Sequence, residues 1–105
     1  MLSIATSRTI FREMWLRLRA ALQAQRVAIM AQDGLARAIR PIHTPFDGDT
    51  IFALATAKRK GAIGARDVAI IGTLAADCAA RAAARGVYEA QSLAGLASYR
   101  ELFGS

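Results

Sequence analysis

The stretch Arg37-Ala-Ile-Arg-Pro-Ile-His-Thr-Pro-Phe-Asp-Gly-Asp-Thr-Ile-Phe-Ala-Leu-Ala-Thr56 governs the reading of this chain. Two prolines, and a glycine held between two aspartates, make residues 41–50 a loop. Pro41 disfavours helix in the residue before it, so a helix arriving from upstream should end near Ile39. Ile51-Phe-Ala-Leu-Ala-Thr56 is short, apolar and rich in Ile, Phe and Thr, which predicts a buried strand. The expected class is therefore α/β: helix-rich, with long helices and at least one buried strand.

Upstream, Ile10, Trp15, Leu18, Leu22, Val27, Ile29 and Met30 recur near helical spacing, so residues 9–31 read as a helix. Asp33-Gly34 is a candidate break or restart, after which Leu35, Ala36, Ala38 and Ile39 continue the pattern. Downstream, Lys58-Arg-Lys60 and Gly61 to Gly64 form a basic, glycine-bearing loop. The longest helix is expected from Asp67, whose carboxylate suits free N–H groups at a helix start. Its packing stripe is read as Val68, Ile71, Leu74, Ala75, Cys78, Ala79 and Ala82, small enough for close approach. Asp77–Arg81 and Arg85–Glu89 stand four apart as candidate ion pairs. Gly86 interrupts the last turns, and a short helix is expected within Leu93 to Phe103.

Composition bounds the rest. The chain has 105 residues, 54% hydrophobic and 21% charged, which suits one globular domain with a small core. Alanine supplies 24 residues, mostly in the helical runs. No uninterrupted apolar stretch reaches the length of about 18 residues that a spanning helix needs. The single cysteine excludes an intrachain disulfide framework. The net charge of +6 is uneven: residues 1–40 hold seven arginines against two acids, and residues 41–105 hold seven bases against six acids. A basic arm of this kind suits nucleic acid or an anionic surface, or is a solvated helix face. Met1 to Arg19 has the Arg and Ser content of a transit peptide but no long apolar core of a secretory signal, so a cytoplasmic protein is expected.

Few residues offer chemistry. His43 and Cys78 stand far apart with no spaced ligand cluster, so no metal site is expected. His43 reads as a loop residue and Cys78 as a packing residue. Gly61-Ala-Ile-Gly64 lacks the Lys-Ser/Thr of a phosphate loop. Phe46-Asp47-Gly48-Asp49-Thr50 is the informative segment. It is either an Asp-Gly turn entering a strand, or a carboxylate pair that holds an ammonium group, orients a nucleophile or shares a proton.

The quoted stretch resembles the signature of the DmpA-type L-aminopeptidase/D-esterases, the family that includes the nylon-oligomer hydrolases. Ala28-Ile-Met-Ala-Gln-Asp-Gly-Leu-Ala36 is similar to the helix leading into that signature. Ile71-Gly-Thr-Leu-Ala-Ala-Asp77, Val87-Tyr-Glu-Ala90 and Gly95-Leu-Ala-Ser-Tyr-Arg-Glu-Leu-Phe103 resemble its continuation to the end of the family's chain. The resemblance implies a fragment of an αββα sandwich, with residues 26–105 similar to the small subunit and residues 1–25 a divergent basic helical segment. It further implies a precursor that cuts itself, exposing a Thr or Ser whose hydroxyl attacks while its own amine acts as base. Substrates would be small peptides, amides or esters with a free amino group. The implied assembly is an oligomer of two-subunit units, with no metal or organic cofactor and no membrane. Asp47 and Asp49 correspond to the acidic pair that orients the nucleophile and its ammonium group.

A gap-free count back from the signature lands on Thr9 as the positional equivalent of the nucleophile. Its surroundings, Phe11-Arg-Glu-Met-Trp-Leu-Arg-Leu-Arg19, are basic and helical in period, unlike the apolar strand that opens the family's small subunit. The chain alone is therefore expected to be a truncated and inactive portion of such a hydrolase. Two other classes remain open. One is a small basic nucleic-acid-binding module built on Arg12, Arg17, Arg19, Arg26 and Trp15. The other is a non-catalytic subunit that docks a separately encoded large subunit.

Overall fold

A computed structural model of the chain describes residues 4–56, 58 and 61–104; side chains are described from Arg12 onward, Glu13, Trp15 and Leu18 excepted. Three helices follow in order: α1 (Ile4–Ala38), α2 (Ala65–Glu89) and α3 (Tyr99–Phe103). Helix α1 ends at Ala38, as Pro41 dictates. It is also the longer helix, 35 residues against 25 for α2, so the expectation for α2 as the longest is corrected. The reason lies at Asp33-Gly34, which does not break α1. Glycine costs an isolated helix about 1 kcal/mol relative to alanine, but here packing across the pair offsets it.

That packing defines the architecture. Met30 lies against Gly72, Gly34 lies against the Ala76 carbonyl, and the Arg37 guanidinium donates to Asp77 at 2.8 Å. Residue numbers rise together along both helices, so α1 and α2 run parallel. Near the start of α2, Gln23 Nε2 donates to the Ile63 carbonyl at 2.7 Å, in the same register. Ala31, Gly34, Gly72 and Ala76 are the buried positions of the seam. With Val27, Val68, Ala75 and Ala79 half-buried beside them, they repeat at helical spacing on both partners. A seam of glycine and alanine brings the backbones close, as an Ala-rich face allows.

The stripe expected on α2 coincides with this seam only in part: Val68, Ala75 and Ala79 belong to it, and Ala82 does not. Ile71, Leu74 and Cys78 are exposed, whereas Gly72 and Ala76 face α1. Small residues mediate the close crossing, and the larger side chains are turned away. Cys78 is thus corrected from a packing residue to an exposed one.

Two parallel helices need a return path, and residues 39–64 supply it. The segment Ile51–Ala55 lies beside Arg17–Ala28 of α1, lining one shallow groove with Ala20, Ala21 and Ala24. It forms no strand among the described residues, and Phe52 and Leu54 are each 91% exposed. The buried strand expected at Ile51–Thr56 is absent because a strand needs a neighbour for its N–H and C=O groups, and none lies beside it here. The sandwich is likewise not formed by these residues.

Helix α2 starts at Ala65 with Asp67 in its first turn. That is two residues before the expected start, so the Asp67 carboxylate reaches back from inside the first turn to accept from the Gly64 N–H at 2.9 Å. Arg85 and Glu89 approach to 3.8 Å as the i,i+4 pair. Asp77 instead reaches across to Arg37, not along its own helix to Arg81. Only Tyr99–Phe103 of the expected last helix is helical; Leu93 and Leu96 form a tight turn through Ala94 and Gly95, both at positive φ. Tyr99 stacks between Tyr88 at 6.4 Å and Phe103 at 5.3 Å, anchoring α3 to the end of α2.

The core expected of a small globular domain is not built. Ala31 and Ala76 are the buried hydrophobic residues among those described, and the molecule measures 72 × 30 × 27 Å. Its radius of gyration is 20.3 Å, where a compact domain of this length has roughly 13 Å. No helix is long and apolar enough to cross a membrane, among the described residues.

Candidate functional site

The acidic loop is built by local bonds. Asp47 N–H donates to the Thr44 carbonyl at 3.0 Å, and the Thr44 N–H donates to Asp47 Oδ2 at 3.0 Å. This closes a tight turn in which the Asp side chain caps its own backbone. Thr50 Oγ1 donates to the Gly48 carbonyl at 3.3 Å, fixing the exit of the loop. Asp47 and Asp49 are both exposed, and so is His43, which adopts a positive φ of 58°. Phe46 beside them is 98% exposed.

The loop thus fixes one carboxylate and presents both to solvent. Asp47 keeps Oδ1 outside the local bonds described, and the Asp49 carboxylate takes part in none of them. Such a pair attracts an ammonium group, but an exposed ion pair is worth only about 0–1 kcal/mol. Enclosure by further elements would be needed to make it a precise holder.

Thr9 belongs to α1 as an interior residue of the helix, and its side chain lies outside the described residues. Its nitrogen is bonded to Arg8, so in this chain it carries an amide and not an amine. The acidic loop starts beyond Ala38, roughly 40 Å along the helix axis from Thr9 at the rise of an α-helix. No bond between Thr9 and the loop falls among the described residues. The basic face is exposed at Arg12, Arg17, Arg19 and Arg26; Trp15, Arg59 and Lys60 lie outside the described side chains. No three His, Cys, Asp or Glu residues cluster among those described.

The feature missed in sequence is the Arg37–Asp77 pair. The i,i+4 spacing points Asp77 to Arg81 on its own helix, and nothing in that spacing shows that a parallel helix sets Arg37 opposite it.

Residues 18–100 match peptidase family S58. The chain belongs to peptidase family S58, the DmpA-type aminopeptidases. It is 49% identical over 89 residues to an uncharacterized aminopeptidase of Mycobacterium tuberculosis, covering 75% of this chain and 26% of that protein. An uncharacterized aminopeptidase of Mycobacterium leprae is 47% identical over 90 residues, with 75% and 25% covered. The chain spans about a quarter of the length of the family S58 relatives it matches. No solved structure matches it. The family S58 match takes in the whole of the acidic loop, the seam between α1 and α2 and the return segment.

Proposed function

We propose that this chain is the small-subunit portion of an amide or ester hydrolase acting on substrates with a free amino group. Alone, it has no turnover. The observation that carries the reading is the family match over residues 18–100 combined with coverage of only 26% of the relatives. A quarter of the fold holds the acidic loop but leaves it open to water. The walls of the site and the rest of the sandwich belong to the remaining part, either a large subunit or the precursor region.

In the completed site, Asp47 and Asp49 hold the ammonium form of an amino group and set its geometry. Burial there raises the strength of a charge-assisted hydrogen bond well above its value in water. Asp47 is the positioned member, since its backbone turn with Thr44 fixes its direction. Thr9 serves as nucleophile only if cleavage between Arg8 and Thr9 frees its amine.

The test uses the isolated chain and a chimera. In the chimera, residues 26–105 replace the corresponding stretch of the Mycobacterium tuberculosis aminopeptidase. Against aminoacyl amides and p-nitroanilides, the isolated chain is expected to be silent and the chimera active. Asp47→Ala and Asp49→Ala should each lower kcat/KM of the chimera by roughly 100-fold or more, about 3 kcal/mol of transition-state stabilisation. Turnover by the isolated chain that disappears on Asp47→Ala or Thr9→Ala would overturn this reading.

A further inference from the structure

We propose that Arg12, Arg19 and Arg26 of α1, with Arg66 of α2, form a cationic rim that binds the phosphate backbone of a nucleic acid. This surface stands beside the hydrolase reading and does not depend on it.

The register of the two helices places these residues together. Arg12, Arg19 and Arg26 recur every seven residues, close to two helical turns, so they share one line along α1 over about 21 Å. Arg37 falls on the same line, about three turns beyond Arg26. It donates across to Asp77 of α2, so the line runs along the rim of the seam between the helices. Both cross-helix bonds, Gln23 to Ile63 and Arg37 to Asp77, join residues 40 apart. Arg26 and Arg66 have that same separation, and Arg66 stands about three turns before Asp77 on α2. Arg66 is therefore set opposite Arg26 as Asp77 is set opposite Arg37, with a second cation in place of the carboxylate.

The rim lacks an anion. Arg12, Arg19, Arg26 and Arg66 are exposed, and none has a carboxylate partner among the described residues. The nearby acids do not serve them: Asp33 lies about two turns past Arg26, Asp77 is taken by Arg37, and Asp67 turns to the Gly64 N–H. Like charges fixed along two helices repel one another, and a chain of phosphates relieves that repulsion at several points at once. All four cations are arginines, whose planar fork suits phosphate oxygens. An anionic membrane is the poorer occupant, since lipid binding needs bulky apolar side chains that enter the bilayer beside the cations. Between the arginine line and α2 lie Gln23 and Met30, half-buried against Ile63 and Gly72. The exposed Leu22 and Ile29 are on the side of α1 away from α2, so a flat surface that takes them in leaves Arg66 out.

Fluorescence anisotropy of the whole chain with a labelled DNA duplex of about 20 base pairs tests this. Four phosphate contacts predict a slope of about −3.6 in log K against log salt, a loss of roughly 100-fold between about 50 and 200 mM. Changing Arg12, Arg19 and Arg26 together to Gln should cut affinity by about ten-fold or more and flatten the slope by about 3. Arg66→Gln alone should flatten it by about 1. Changing Arg17, Arg81 and Arg85 together to Gln removes the same charge from two grooves away from the rim, and should cost less than about three-fold. Gln is as good a helix former as Arg, so the helical circular dichroism should stay unchanged in every variant. Absence of duplex binding at about 50 mM salt overturns the proposal. An equal loss in the two triple variants overturns it too, because net charge would then be the cause. So does an unchanged slope in Arg66→Gln. Tighter binding to phosphatidylserine vesicles than to the duplex overturns it in favour of a lipid surface. The hydrolase reading is tested apart: the chimera carries residues 26–105 without Arg12 and Arg19, and its activity is independent of the duplex result.

Discussion

Gly34 shows how one missing methyl group sets the distance between two helices. A Cβ placed there would collide with the backbone carbonyl of Ala76, an atom that cannot rotate away. Gly34→Ala gains about 1 kcal/mol of helix propensity. It also overpacks a seam against backbone, at about 1–3 kcal/mol. The overlap is with fixed atoms, so the second effect should win. The chimera's melting temperature is expected to fall, and an unchanged or higher value would show that the seam has slack. Gly86 is the control, because a Cβ there meets nothing within 4 Å. Gly86→Ala should raise stability by about 0.5–1 kcal/mol in the same thermal melt. From the sequence both glycines read as weak points in helices. Only the neighbour across the seam distinguishes them.

Among the elements, α2 is the one whose start was legible. Asp67 marks it to within two residues: the helix begins at Ala65, and the Asp67 carboxylate accepts from the Gly64 N–H. Asp67→Ala should cost about 0.5–1 kcal/mol of stability, read by urea denaturation of the chimera. The link between helices is weaker. Arg37 and Asp77 are each about half exposed, so Asp77→Ala is expected to change stability by less than about 1 kcal/mol, with the difference shrinking in high salt. A larger loss that resists salt would mean the pair is shielded in the assembled protein. The return segment has the composition of a buried strand. Composition records what a segment prefers once covered, but pairing needs a neighbouring strand, and none lies beside it among the described residues.

At the scale of the whole molecule, two long helices and an extended return make a layer and no core. Large side chains such as Leu22, Ile29, Ile71, Leu74 and Phe103 remain exposed. With so little apolar burial to offset chain entropy, the isolated chain should melt broadly, without a sharp transition. It should also bind an apolar dye such as ANS strongly. A sharp, dye-silent transition would show that the chain stands as an independent domain.

Sequence specified the family, the end of α1 before Pro41, the start of α2 to within two residues and the turn chemistry around Asp47 and Asp49. These depend on residues close together in the chain, where a proline ring, a capping carboxylate or a contiguous motif acts over a few bonds. Tertiary structure alone decided that α1 and α2 run parallel, that Gly34 and Gly72 face the partner helix, that Asp77 pairs with Arg37, and that Cys78, Phe52 and Leu54 are exposed. Each of these depends on which face meets a distant segment. A helix rotated by one residue turns its stripe through about 100°, and hydrophobicity alone does not say which of two neighbouring stripes, the small or the large, meets the partner helix.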